Sequence, residues 1–311
     1  MPLCAVSVDL DEVPCYTAIH GLPAPSGERA HAVYRRAVPR FEALFDALGV
    51  RATFFAVGSD LADDAASAAI ARLAASGHEI GNHSFSHHYD LTRRPAAEIR
   101  RDIDDGARAI ERVVGHRPHG FRAPGYTVTD TVFEQLAELG VEYDSSVFPC
   151  PPYYTAKSAA LALIRARGRR SHSVLDTPRV LTAPADPYRV GTPFTARGHG
   201  MIELPIGVTR GTTARLPFIG TSLIMAGETG AAWLARQIAG RPLVNLELHG
   251  IDLADAGPDD LAFLSPHQFD LRKTLAAKQS ALQRAIWVLR GAGYEFVTLH
   301  EAAQRFGATL R

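Results

Sequence analysis

An α/β fold of alternating strands and helices closed into a barrel is what this sequence predicts, with an open doubly wound sheet as the alternative. Three observations point there. Apolar runs of strand length alternate with segments of 3.6-residue periodicity. The crossovers between them are short, and the glycine-rich nucleotide fingerprint is absent. The chain has 311 residues, more than a typical domain, but barrels of this kind run to about 250 residues or more as one unit. A single domain over residues 1–311 is therefore expected.

Residues 4–9 read as the first strand. Pro39 suits the first turn of a helix, Phe41, Leu44, Phe45 and Leu48 make one apolar stripe, and Gly49 provides the stop. Residues 51–57 form the second strand, a helix ends near Gly77, and 78–82 form the third strand. A longer helix carries Ile99, Ile103, Ile110 and Val114 and ends at Gly115, before a fourth strand at 120–123. Thr129 caps a helix through Leu139 that Gly140 closes, and 141–147 is the fifth strand. Regularity then stops. Residues 148–200 are rich in Pro, Arg and Tyr and read as an insertion, because long spans without periodicity are usually functional or mobile. Strands resume at 201–206 and 242–248, a helix covers 270–289, and 294–298 is the last strand.

Charge narrows the partners. Lys plus Arg number 33 and Asp plus Glu number 33, so no global field draws the chain to nucleic acid. Cys4, Cys15 and Cys150 lack the paired spacing of a zinc knuckle or redox motif and fit a reducing compartment. The residues before Asp9 do not read as a secretory signal, and no apolar run reaches the roughly 18 to 20 residues that span a bilayer. A cytoplasmic protein, with peripheral contact at the inner membrane face left open, is the expectation.

In a parallel barrel the active site lies where strands end, and the residues that carry chemistry fall there. Asp9 and Asp11 are two apart, so an extended backbone points both carboxylates to one face. His83 and His87 are spaced i, i+4, which on a helical turn makes neighbours able to chelate a divalent ion. Two imidazoles and one carboxylate leave a coordination position open for water, as catalytic zinc sites require. His88 points elsewhere on such a turn. Arg122 stands beside the rigid turn Pro124-Gly125-Tyr126, where an always-charged guanidinium can orient a carboxylate. Backbone N–H groups of Gly125 and Tyr126 are expected near a substrate carbonyl that develops oxyanion charge. His249 ends the apolar strand Leu246-Glu247-Leu248 and suits a catalytic acid at neutral pH.

In this order the motifs resemble the polysaccharide deacetylase family, also called the NodB-homology group or carbohydrate esterase family four. The resemblance rests on the acidic motif, Ala52-Thr53-Phe54-Phe55, the two histidines after Gly77-His78-Glu79-Ile80-Gly81-Asn82, the Arg-x-Pro turn and the late Leu-His. It spans residues 4–147 and 201–300. It implies a distorted (β/α) barrel of seven or eight strands and hydrolysis of N-acyl, sometimes O-acyl, groups with a bound divalent metal. By the same resemblance Asp9 is the general base and Arg122 its partner, Asp11, His83 and His87 are metal ligands, His249 is the general acid, and the Tyr126 N–H holds the oxyanion. Zn2+ is the default ion, with Co2+, Ni2+ or Mn2+ as alternatives.

The chain departs from the family pattern in two places. Leu10 separates the two aspartates, which makes Glu12 a substitute ligand. The family's Asp near a Trp, which orients the catalytic His, has no counterpart; Trp233 has no neighbouring Asp, Glu203-Leu204-Pro205 occupies the expected region, and Asp252 is the candidate orienter. Separated aspartates resemble the branch acting on lipid-linked sugars or small amides.

The expected function is removal of an acetyl or formyl group from an amino sugar, with a lipid-linked sugar included. A cyclic imide or ureide amidohydrolase and an inactive glycan-binding homologue are the alternatives. The lipid reading rests on residues 153–164, aromatic then apolar, running into Arg165, Arg167, Arg169 and Arg170 in the order of an interfacial helix. A second apolar stretch, Leu216-Pro217-Phe218-Ile219-Gly220 with Leu223, Ile224 and Met225, is expected along the lipid's path.

Overall fold

The computed structural model describes residues 1–211 and 215–310. Among the described residues nine strands form one sheet: β1 Leu3–Asp9, β2 Thr53–Ala56, β3 Glu79–Asn82, β4 Gly120–Phe121, β5 Tyr143–Asp144, β6 Tyr188–Val190, β7 Arg197–Glu203, β8 Leu243–His249 and β9 Glu295–Val297. The order is β6-β7-β5-β4-β3-β2-β1-β8, parallel except for the β6–β7 pair, and β9 pairs with the first half of β1. The sheet curls into a distorted barrel. Past β7 the chain turns toward β8, where Gly207 N–H donates to Asn245 O at 2.9 Å and the Asn245 amide reaches Leu204 O at 3.1 Å.

The helices are α1 Val13–Ile19, α2 Val38–Leu48, α3 Asp64–Ala75, α4 Ala96–Val114, α5 Asp130–Glu138, α6 Pro151–Ala166, α7 Gly220–Ile238, α8 Leu275–Gly291 and α9 Leu299–Gly307. Gly49 and Gly115 end α2 and α4 in the left-handed conformation, and Thr129 caps α5 by accepting from Val132 N–H. The nineteen-residue α7 is interrupted at Gly227, which has a non-helical φ of 67°. The helix expected at 270–289 begins as a short 3₁₀ turn and becomes α-helical at Leu275. Within the expected insertion lie α6, β6 and the start of β7.

Side-chain parity explains how the barrel fills. Cys4, Val6 and Val8 of β1 face outward and join Phe41, Phe45, Phe54, Ile70, Leu246 and Leu248 in the layer beneath the helices. Leu3 and Ala5 face inward with Phe55, Tyr143, Leu204 and Leu243, and close the N-terminal half of the barrel with apolar contacts. Toward the C-terminal ends the inward positions turn polar. Ser7 and Asp9 on β1 are in register with Glu247 and His249 on β8. One end of the barrel is thus an apolar plug, and the other is a polar floor for a site.

Candidate active site

The floor is built around Arg122, which follows β4 and is fully buried. Its guanidinium donates to Asp9 Oδ1 at 2.7 Å, Ser7 Oγ at 2.9 Å, Ser145 O at 2.7 Å and Ser145 Oγ at 2.8 Å. It also lies over the Phe55 ring, 4.3 Å from the centroid. Three of these bonds fix the guanidinium and the fourth holds Asp9 Oδ1, which leaves Oδ2, 3.9 Å from His83 Nε2, toward the cavity.

Asp11, His83 and His87 converge with their ligand atoms within 4.8 Å of one another. Asp11 Oδ1 stands 3.2 Å from His83 Nε2 and 3.1 Å from His87 Nε2. His83 Nδ1 is paired with Arg122 O at 2.7 Å, which leaves Nε2 for the shared centre. Burial works against charge on Asp11, but the two imidazoles outweigh it and hold the carboxyl well below its usual range. Asp11 Oδ1 and His87 Nε2 are buried without a hydrogen-bond partner among the described residues. Buried polar atoms left this way need an explanation. A divalent cation fits the donor set, because two nitrogens and one carboxylate are a catalytic zinc complement.

The two histidines do not meet on a helical turn, and that expectation is corrected. Residues 83–87 form an irregular loop in which Ser84 (φ 65°) and His87 (φ 50°) are left-handed. The rings still come to 4.9 Å between centroids, because the neighbouring backbone fixes the loop. Gly58 N–H donates to Ser84 O and Ser59 N–H to Phe85 O, both at 2.9 Å. From α4, Asp102 accepts the Phe85 N–H at 3.0 Å on its backbone oxygen and the Ser86 N–H at 3.1 Å on its side chain. The close approach of α4 depends on Gly106, where a Cβ would lie 2.5 Å from Asn82 Oδ1 and 2.7 Å from the Ser84 carbonyl carbon.

His249 stands across the site from the histidine pair. Its Nδ1 is 2.9 Å from Glu247 Oε1, and its Nε2 is 3.1 Å from the Tyr126 hydroxyl. Burial opposes the imidazolium, but the charge and hydrogen bond of Glu247 prevail, with Asp11 and Asp9 adding to them, and the His249 pKa lies well above the ordinary value. Asp9, Glu247 and His249 also converge within 4.8 Å. Asp9 is bonded to Arg122 and His249 to the Tyr126 hydroxyl, while Glu247 meets the His249 ring as an ion pair.

Three further expectations are corrected. The Asp252 carboxylate accepts the His249 backbone N–H at 2.9 Å and not a ring N–H, while the Asp252 backbone N–H donates to the His249 side chain. Glu247 takes the orienting place. Glu12 accepts from Val13 N–H, Val33 N–H and Tyr34 N–H at 3.0 to 3.1 Å, and so secures the start of the π-helical turn Val33–Ala37. The Tyr126 N–H donates to Ala123 O at 3.0 Å within its own turn, so the tyrosine presents its hydroxyl to the site. Gly125 and Tyr126 are both left-handed, at φ 63° and 60°, a conformation free to the glycine and strained for the tyrosine beside the floor.

A cavity of about 320 Å³ opens above the floor, lined by Asp9, Asp11, His83, Tyr126 and His249 below. Helix α6 roofs it with Tyr153, Lys157, Leu161 and Ile164, and Ile19 and Phe269 stand on other walls. No residue of α6 is buried. The helix is held by Lys157 Nζ to Gly125 O at 3.0 Å and by Tyr154 OH to Asp176 O at 3.2 Å. The second apolar stretch lies elsewhere: Phe218, Ile219, Leu223 and Ile224 are buried in the core.

A curled parallel barrel with carboxylates and imidazoles at the C-terminal strand ends defines a NodB-type domain. Residues 31–143 match the family described as polysaccharide deacetylase. The peptidoglycan deacetylase of Helicobacter pylori is 26% identical over 160 residues, 49% of this chain and 52% of that protein. The bifunctional xylanase/deacetylase of Pseudobutyrivibrio xylanivorans is 32% identical over 93 residues, 30% of this chain and 15% of that protein. The chain thus spans about half or less of the length of these curated relatives. A solved Mycobacterium smegmatis structure described as a polysaccharide deacetylase shares the fold, with a TM-score of 0.62 at 20% identity over 100% of this chain and 92% of that one. The polysaccharide deacetylase match thus covers residues 31–143, and the likeness to the solved structure extends the shared fold over the whole chain.

Proposed function

We propose that residues 1–311 act as one catalytic unit, with 148–200 as an insertion, that hydrolyses an N-acetyl or N-formyl group of an amino sugar with the help of a divalent metal. The observation that carries this reading is the convergence of three separate devices on one cavity floor: the Asp11, His83, His87 set, the Asp9–Arg122 pair and the Glu247–His249 pair.

Asp11, His83 and His87 would hold the ion, Zn2+ by donor type. When bound, such an ion stabilises charge on the acyl oxygen and makes water a stronger acid. Asp9, fixed through Oδ1 by Arg122, takes the proton of the attacking water on Oδ2. His249, kept protonated by Glu247, gives its Nε2 proton to the departing nitrogen. The Tyr126 hydroxyl, at 3.1 Å from His249 Nε2, sets the ring's orientation until substrate displaces it. The amine and the carboxylate product leave through the mouth beside α6.

The finer reading is a substrate carried on an apolar group, with a lipid-linked sugar approached at a membrane face. Leu161, Ile164, Ile19 and Phe269 support it, because apolar walls beside a polar floor suit an amphipathic substrate. Among the described residues no helix is long and apolar enough to cross a membrane. The test is a panel of N-acetyl and N-formyl sugars, free and lipid-linked, with released acetate or formate measured. Equal turnover of free and lipid-linked sugars removes the lipid reading and leaves the deacylation reading standing.

A further inference from the structure

The cavity mouth carries more positive charge than its surroundings neutralise. Arg167 lines the mouth with His20 and His267. The chain after α6 folds down onto the end of α1: His172 N–H donates to Ala18 O at 3.0 Å, and a Cβ on Gly21 would lie 3.1 Å from Arg169 Cβ. This places Arg169 beside His20. The His20 and His267 rings are 5.6 Å apart. Arg272 completes the rim from the facing loop, with its guanidinium 4.5 Å from the Phe269 ring centroid and bonded to Ser265 O and Pro266 O. Burial and the nearby charges of Arg169, Arg167 and Arg272 lower the His267 pKa.

The rim arginines have no carboxylate partners among the described residues. Among the described residues, Arg165, Arg167, Arg169, Arg170 and Arg272 form no ion pair. Two acids on the neighbouring segments are engaged elsewhere. Asp270 is fully buried beside Lys278, and Asp176 faces Lys157 and the Thr177 N–H. In a chain of zero net charge, unpaired guanidiniums gathered at the entrance to a catalytic cavity are a recognition feature.

We propose that this rim binds a phosphate group of the substrate, with Arg167 and Arg169 as principal donors and His20, His267 and Arg272 around them. The inference rests on the amino-sugar reading of the cavity and narrows it to a phosphorylated N-acyl amino sugar. Guanidinium forks match phosphate oxygens in pairs. The apolar walls and the cationic rim then serve successive parts of one amphipathic molecule.

Calorimetry on the zinc-loaded protein tests this with three probes: N-acetylglucosamine 1-phosphate, N-acetylglucosamine and inorganic phosphate. The sugar phosphate is expected to bind at least about tenfold more tightly than the neutral sugar, the gain from one or two charge-assisted contacts. In the Arg167→Gln/Arg169→Gln double variant that ratio is expected to fall toward one. Equal affinities in the wild type overturn the proposal, as does a preference unchanged in the variant, which would place the phosphate on the metal. A parallel arm uses phosphatidylglycerol vesicles. Salt-sensitive co-sedimentation that needs the arginines, without any sugar-phosphate preference, assigns them to lipid headgroups and also overturns the proposal. These readouts are affinities, so absence of acetate release would count against the deacylation reading and leave the rim to be judged by binding.

Discussion

Glu247 Oε1 lies 2.9 Å from His249 Nδ1, and both side chains face into the barrel because residues two apart on β8 share a face. The pair fixes which ring nitrogen meets substrate and keeps the ring charged. Since an acid must be protonated, activity is lost as pH rises through the His249 pKa, which Glu247 helps hold well above the ordinary value. Glu247→Gln removes that charge and lowers the pKa. The alkaline limb of the kcat/KM profile should therefore move to lower pH; an unmoved limb would remove His249 as the acid.

Asp9 and Asp11 should separate by metal content. Asp11→Asn takes away the carboxylate shared by the two imidazoles and should lose the ion. Asp9→Asn should keep it and lose about 10² to 10⁴ in turnover, the usual worth of a general base. Metal analysis beside kinetics reads both, and loss of metal from both variants alike would reassign Asp9 as a ligand.

Gly106→Ala touches no ligand, yet it should weaken metal binding. The added methyl would press on the Ser84 backbone at 2.7 Å, and that backbone carries both histidines. Displaced supports of this kind typically cost about 10- to 100-fold in affinity. A zinc titration of the folded variant checks it.

Arg122→Ala should cost about 3 to 5 kcal/mol, because it strands buried Asp9 without its partner. Urea unfolding followed by circular dichroism measures it. A loss under about 1 kcal/mol would mean that the floor relaxes around the gap.

Leu161→Ser with Ile164→Ser tests the roof of the cavity. If the wall receives an apolar group, kcat/KM for an N-acetyl sugar with an alkyl chain should fall relative to the free sugar. A ratio that stays constant would make α6 a cover without a binding role.

Much of this site was legible because strand ends are legible. Asp9, Arg122 and His249 stand where apolar runs stop, and their convergence follows from barrel geometry. Glu247 was within reach by the same two-residue parity that paired Asp9 with Asp11, but its setting in an apolar run drew attention to the run. The loop at 83–87 was out of reach, since its shape comes from Gly58, Asp102 and Gly106, which are remote in sequence. The fate of the Tyr126 N–H was equally hidden, because one left-handed turn decides whether a backbone donor is spent inside the chain or left for substrate. The composition of α6 points to an interfacial helix; its place over the cavity depends on contacts with Gly125 and Asp176.

The most direct test of the account is acyl release from an N-acetyl or N-formyl amino sugar by the zinc-loaded chain, compared with the same chain after chelation and after His83→Ala. The account predicts stoichiometric release of acetate or formate with free amine by the loaded protein, and loss of that release in the other two. Full activity in the chelated protein or in His83→Ala would contradict it.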